Sequence, residues 1–285
     1  MFTTLITCTE LQALQQSAAP LLIVDCTADL MNPAAGLRQF LDAHIPGATH
    51  ADLDHDLSAH GVADAASGGR HPLPRREVFA HWLRQIGLRT DTQVVVYDRN
   101  GLNFCGRLWW MLKWAGHEAV AVLDGGLAAW TAAAGAVESG PATARTASDW
   151  TLQPPLRELV TAADVLAHLD QPDQTLIDAR AAPRYRGEVE PLDPVAGHIP
   201  GALNRPFGLN LDEQGRFKSA TTLRAEFETL LAGRDPASVV HQCGSGVSAL
   251  PNLLAMEVAG FPPTRLFAGS WSEWCRDPSR PVAKG

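Results

Sequence analysis

SVVHQCGSG (residues 238–246) and QVVVYDRNG (residues 93–101) together decide the architecture. Each is a short apolar, β-branched run that breaks into a polar, glycine-containing turn. Around them the chain repeats itself in order and at a nearly constant spacing. DAHIPGA (42–48) returns as AGHIPGA (196–202), and LLIVD (21–25) as TLIDA (175–179). WWMLKWAGH (109–117) returns as LLAMEVAGF (253–261), and LDGGLAAW (123–130) as FAGSWSEW (267–274). Ordered internal similarity of this kind marks a duplicated domain.

Within each copy the pattern alternates. Runs such as LLIV (21–24), VVVY (94–97) and AVAVLD (119–124) suit strands buried on both faces. Between strands lie helical stretches, RREVFAHWLRQIG (75–87) and TTLRAEFETLLAG (221–233), the second with Thr221 or Thr222 as its expected N-cap and Gly233 as its stop. Strand–helix alternation predicts an α/β fold, each copy a parallel sheet with helices on both faces. The expected division is a first domain over 1–137, a Pro-, Ala-, Ser- and Thr-rich linker over 138–155, and a second domain over 156–285.

Composition narrows the function. The chain has 285 residues and a formal net charge of -8, which argues against nucleic acid or an anionic membrane as partner. No apolar run is long enough for a transmembrane span, and the N-terminal residues lack the basic start of a signal peptide. Five scattered cysteines with no CxxC pair argue against a disulfide framework or a zinc site and suit a cytoplasmic protein.

In open parallel sheets, sites form at the carboxyl ends of strands, where Cys243 stands. Cys243 is either a buried structural thiol in a glycine turn or a nucleophile. The nucleophile needs its thiolate favoured. Gly244, Ser245 and Gly246 allow successive N–H groups to point inward at the start of a helix, a fixed positive pole that does this. The duplication favours the nucleophile. Arg99 is expected opposite Cys243 and Asn100 opposite Gly244, so one copy keeps the thiol loop and the other lacks it. A phosphatase-type loop needs an arginine six residues after the cysteine, where Ala249 stands. A Gly-x-Ser-x-Gly elbow fails because Cys243 lies two residues before Ser245.

HIPGA in both copies, CGSGVSA (243–249), LDGGLAAW and GSWSEW (269–274) resemble the tandem rhodanese-like sulfurtransferases over nearly the whole chain. In that family, loops of the CRKGVT type accompany thiosulfate as donor and loops of the CGSGVT type accompany 3-mercaptopyruvate; CGSGVS is similar to the latter, with Ser248 in place of threonine. The resemblance implies an inactive first copy and a catalytic second one. It also implies a Cys243 persulfide, loaded from 3-mercaptopyruvate and unloaded to a thiol, thioredoxin or cyanide, with no metal or organic cofactor. Thiosulfate sulfurtransfer, or a persulfide carrier without fast turnover, are the alternatives. Ser245, His71 of GRHPLP (69–74) and Asp54 of HADLD (50–54), with Asp56 as the alternative acid, are the implied helpers of the thiol. Arg184 of DARAAPRYRG (178–187) is the implied substrate arginine, and Gly244, Gly246, Val247 and Ser248 line the substrate. A second arginine expected near EVEPLDP (188–194) is replaced by Leu192, and Arg180 is expected to hold the fold by pairing with carboxylates.

Overall fold

A computed structural model describes residues 1–285. The chain folds as two compact units that do not follow chain order strictly. The first comprises Met1–Ala59, Pro74–Leu156 and Glu213–Arg216; the second comprises His60–Leu73, Arg157–Asp212 and Phe217–Gly285.

In the first unit, strands β1 (Leu5–Ile6), β2 (Leu21–Asp25), β3 (Thr49–His50), β4 (Gln93–Tyr97) and β5 (Val120–Leu123) form a parallel sheet in the order β1-β5-β4-β2-β3. Helices α1 (Cys8–Gln15), α2 (Ala34–Asp42), α3 (Arg76–Gln85), α4 (Cys105–Trp114) and α5 (Gly126–Ala132) flank it. β4 is buried throughout, which its Val-Val-Val-Tyr run requires of a central parallel strand. All ten residues of α4 are buried as well. The stretch 138–156 belongs to this unit: Glu138 exchanges backbone hydrogen bonds with His44, Ser148 donates to the Arg84 carbonyl, and Trp150 is buried.

The second unit repeats the plan with β6 (Thr175–Asp178), β7 (Leu203–Asn204), β8 (Val239–Gln242) and β9 (Arg265–Leu266), parallel in the order β7-β6-β8-β9. Its helices are α6 (Ala162–Ala167), α7 (Ala182–Tyr185), α8 (Ala220–Leu231), α9 (Leu250–Val258) and α10 (Ser270–Trp274). The copies share a device at their first helix. Thr7 and Glu10 form a capping box on α1, and Thr161 and Asp164 form one on α6. The N-cap of α8 is Ser219, whose hydroxyl accepts from the Thr222 N–H, rather than Thr221 or Thr222. Leu223, Phe227 and Leu231 form its buried face, and the helix closes on Ala232 in left-handed backbone, one residue before Gly233. Trp271 and Trp274 are fully buried in this unit's core. No helix is long and apolar enough to cross a membrane.

Candidate active site

β8 is buried along its length and ends at Gln242, which delivers Cys243 to the carboxyl end of the sheet, 1% exposed. The loop from Cys243 to Ala249 then turns into α9, whose Pro251 sits in the first turn, where its missing N–H costs no helical bond. Two features make the turn. Gly246 has φ +74°, and a side-chain carbon there would stand 2.3 Å from the Ala268 carbonyl oxygen. The start of α10 fastens the other edge: Trp271 N–H donates to the Cys243 carbonyl at 3.0 Å and Ser272 N–H to the Gly244 carbonyl at 2.9 Å.

Ser270 is part of this fastening and escaped the sequence reading. Its hydroxyl oxygen accepts the Cys243 N–H at 3.1 Å, its proton is directed to the Phe267 carbonyl at 3.0 Å, and it lies 3.9 Å from the Cys243 sulfur. It occupies left-handed backbone (φ +55°), uncommon and costly for a non-glycine residue. Its counterpart in the repeat is Gly126, at φ +57°. A serine standing where the twin has a conformationally free glycine is the signal that the sequence carried.

The strand ladders settle which residues of the two loops correspond. Asp25 pairs with Tyr97 in the first sheet and Asp178 with Gln242 in the second. The residue opposite Cys243 is therefore Asp98, not Arg99, and the residue opposite Gly244 is Arg99, not Asn100. Arg99 instead turns to the Asp25 carboxylate and the Ala43 carbonyl. The buried Asp98 carboxylate fills its own loop. One oxygen accepts the N–H groups of Asn100 (2.8 Å) and Leu102 (3.0 Å), and the other those of Phe104 (2.8 Å) and Cys105 (3.0 Å). Burial still pushes the Asp98 carboxyl above the ordinary range, against the pull of those amides. The loop is thus a cradle for an anion. The corresponding amides in the second unit are those of Ser245, Val247, Ala249 and Leu250. Only Leu250 N–H has a protein acceptor, the Val247 carbonyl at 3.2 Å.

His71 and Ser245 meet: Nδ1 lies 2.8 Å from the serine hydroxyl, both residues buried. His71 reaches the loop because residues 60–73 pack with the second unit. Gly68 N–H donates to the Glu273 carboxylate at 3.2 Å and Arg70 N–H to the Ser272 hydroxyl at 2.9 Å. Gly69, at φ +87°, lies so close to α10 that a side-chain carbon would stand 2.5 Å from the Gly269 carbonyl oxygen. Burial pushes the Glu273 carboxyl up, opposed by the Gly68 N–H.

Arg184, on α7, pairs with Glu190 at 2.6 Å and Asp193 at 3.3 Å. Arg180 is bound to Asp178 at 2.7 Å and lies over the Trp271 ring. Arg70, which nothing in the sequence singled out, pairs with Asp193 at 2.5 Å. Val247 is buried and Ser248 half-buried. Asp54 belongs to the first unit, where its N–H donates to Asp52 at 2.8 Å. Asp56, in the same turn, accepts the Asp52 N–H at 2.8 Å, and burial pushes its carboxyl up. Among the other thiols, burial pushes those of Cys26 and Cys105 well up, and those of Cys8 and Cys275 up.

A rhodanese-like domain model matches twice, at residues 7–133 and 161–277. A Pseudomonas aeruginosa protein named as a probable 3-mercaptopyruvate sulfurtransferase is 50% identical over 277 residues, covering 96% of this chain and 95% of the relative. SseB of Mycobacterium tuberculosis, which carries the provisional name thiosulfate sulfurtransferase, is 41% identical over 288 residues, covering 99% and 97%. The crystal structure of the 3-mercaptopyruvate sulfotransferase SseA from Escherichia coli superposes with a TM-score of 0.80 at 32% identity, covering 95% of this chain and all of that one.

Proposed function

The chain belongs to the rhodanese-like family and is a two-domain sulfurtransferase, and from that premise we propose that it takes its sulfur from 3-mercaptopyruvate through a persulfide on Cys243. The second copy, 156–285, carries the chemistry with His71 lent by the 60–73 segment. The first copy, 1–137, is the inactive twin, and 138–155 joins them.

The observation that carries this reading is the pair of loops. In the twin, the Asp98 carboxylate takes four backbone N–H groups. In the second unit a thiol stands at that position, and the matching amides of Ser245, Val247 and Ala249 have no protein acceptor. Such a cradle suits a residue that acquires negative charge during its cycle, as an anionic outer sulfur does. Donors already aimed at the developing charge lower the barrier without reorganising.

The Cys243 thiolate attacks the donor sulfur. The carbon–sulfur bond breaks, its electron pair leaves with the three-carbon enolate, and the enolate takes a proton to become pyruvate. Ser245 and His71, hydrogen-bonded at 2.8 Å, form the proton path beside the loop. Asp54 is assigned to them as the supporting acid, with Asp56 the alternative. An acceptor thiolate, thioredoxin or cyanide then attacks the outer sulfur and returns Cys243 as thiolate. The cycle as proposed needs neither metal nor organic cofactor, and it is assigned to the cytoplasm.

Thiosulfate as donor is the alternative, favoured by Leu192 standing where an arginine was expected. Steady-state rates with both donors and a dithiol acceptor decide between them. Pyruvate release at a kcat/KM well above that of sulfite release is expected. Intact mass after donor treatment must show one added sulfur, lost in Cys243→Ser. Absence of that gain overturns every version.

A further inference from the structure

Each unit takes in a segment from the other copy, 60–73 in the second and 213–216 in the first. In both, the segment reaches the turn or helix that follows the unit's last strand. Arg216 lies against Gly125 at the start of α5, and Gly68 and Gly69 lie against α10. LDGGLAAW laid on FAGSWSEW matches Gly125 with Gly269 and Trp130 with Trp274. Ala128 and Ala129 then stand where α10 has Ser272 and Glu273. Both of those polar side chains engage the incoming segment. The Ser272 hydroxyl accepts the Arg70 N–H at 2.9 Å, and the Glu273 carboxylate accepts the Gly68 N–H at 3.2 Å. That carboxylate is wedged between two glycines: a side-chain carbon at Gly68 would stand 2.7 Å from Glu273 Cδ, and one at Gly269 would strike Oε2. The segment is closed at its base as well. Ala66 N–H donates to the Leu73 carbonyl at 2.8 Å and Leu73 N–H to the Ser67 hydroxyl at 2.9 Å.

Ser272, fully buried, works in two directions. Its N–H donates to the Gly244 carbonyl at 2.9 Å, while its hydroxyl holds the residue before His71. The contacts close a ring: Gly244 to Ser272, Ser272 to Arg70, then His71 back to Ser245 at 2.8 Å. We infer that Ser272 and Glu273 are positioning residues for His71, setting its ring against Ser245 through the backbone of residues 68–70. The inference rests on the reading of Ser245 and His71 as the proton path. The twin shows why the fold alone does not ask for this pair. α5 packs at the same place with two alanines, and the segment it meets carries no histidine. His71 arrives from a segment about 200 positions away in sequence, since Gly68 and Glu273 are separated by 205. Chain connection therefore cannot set its register on α10, and side-chain acceptors do so instead. Catalytic groups need that register, because a misplacement of about 1 Å can cost about 10²-fold in rate.

The test is steady-state pyruvate release from 3-mercaptopyruvate by the full chain carrying Ser272→Ala, Glu273→Ala or Glu273→Gln, each alone and combined with His71→Ala. Ser272→Ala and Glu273→Ala are each expected to lower kcat ~10–100-fold, with KM within a few-fold of the original. Glu273→Gln keeps an acceptor for the Gly68 N–H and is expected to recover most of the loss. Once His71 is gone its placement no longer matters. In the His71→Ala background the same changes are therefore expected to cost less than about 2-fold. If Ser272→Ala does not fold, the two Glu273 variants carry the same expectation. A loss of equal size in both backgrounds overturns the inference and leaves Ser272 and Glu273 as supports of the fold. A change confined to KM, or no change, overturns it too. His71→Ala that releases pyruvate at the original rate overturns the proton path, and the inference with it. Unaltered protein that releases sulfite from thiosulfate but no pyruvate from mercaptopyruvate overturns the donor reading on which both stand.

Discussion

If the loop amides hold an anionic outer sulfur, loading Cys243 must stabilise the fold as well as prepare it for transfer. The perturbation is a single added sulfur, introduced with the donor and followed by desalting. The Asp98 loop supplies the template: the amides two, four and six residues beyond the anion bearer point at it, and in the second unit these belong to Ser245, Val247 and Ala249. Hydrogen bonds to a charged acceptor contribute about 1.5–3 kcal/mol each. Sulfur is a diffuse acceptor, and placing a charge in a buried site costs several kcal/mol, so the expected net gain is ~1–3 kcal/mol. For a chain of this size that raises Tm by about 3–8 °C. The assay is thermal unfolding of loaded and unloaded protein, with mass spectrometry to verify the load and cyanide to strip it. The rise must vanish on stripping and must be absent in Cys243→Ser. A fully loaded protein that melts within about 1 °C of the free thiol would refute the cradle.

The twin loop offers its own check: Asp98→Ala strands four buried N–H groups, so a loss of ~3–5 kcal/mol in urea unfolding is expected, and less than about 1 kcal/mol would mean the carboxylate is incidental. Gly246→Ala must force left-handed backbone on a residue whose new carbon meets the Ala268 carbonyl oxygen; a stability loss above ~2 kcal/mol is expected, whereas Gly215→Ala, at φ +71° with open space around it, should lose only the backbone cost of ~1 kcal/mol. Glu273 carries a carboxyl raised by burial, so its native state binds protons more tightly than the unfolded chain does. Its contribution is full below the unfolded value and fades as pH rises through the native one. Glu273→Gln keeps an acceptor for Gly68 N–H without the charge, so its stability should gain on the original protein as pH rises from about 4 to 8 in paired melts, and a gain on falling pH would reverse the assignment.

The fold was readable because its signals are local and repeated. Apolar β-branched runs give β2, β4 and β8, and ordered duplication gives the two units. The placement of Cys243 at a strand end follows from the VVHQ run and the glycine turn beyond it. What was not readable depends on chain crossing. Nothing in GRHPLP reports that residues 60–73 leave the first unit and pack with the second, although that places both Arg70 and His71 beside the Cys243 loop. Loop correspondence, by contrast, was legible: QVVVYDRNG laid on SVVHQCGSG sets Asp98 against Cys243, and the paired strands confirm that match over the expected Arg99.

That correction changes what the duplication says about chemistry. With Arg99 opposite Cys243, the twin would look like a loop that lost its nucleophile and drifted. With Asp98 there, the two loops correspond position by position and differ in what stands at the anion-bearing place. The first supplies a permanent anion from its own side chain, which ties the loop down. The second places a thiol there and leaves amides for charge that comes and goes. Gly126 and Ser270 extend the contrast. At the same left-handed backbone position the twin uses the residue with no steric cost, while the second copy accepts strain to bring a hydroxyl within 3.9 Å of the sulfur. That hydroxyl takes the Cys243 N–H at 3.1 Å and gives its proton to the Phe267 carbonyl at 3.0 Å, so the strained backbone at Ser270 holds the Cys243 main chain in place, a fastening that Gly126 cannot supply in the twin.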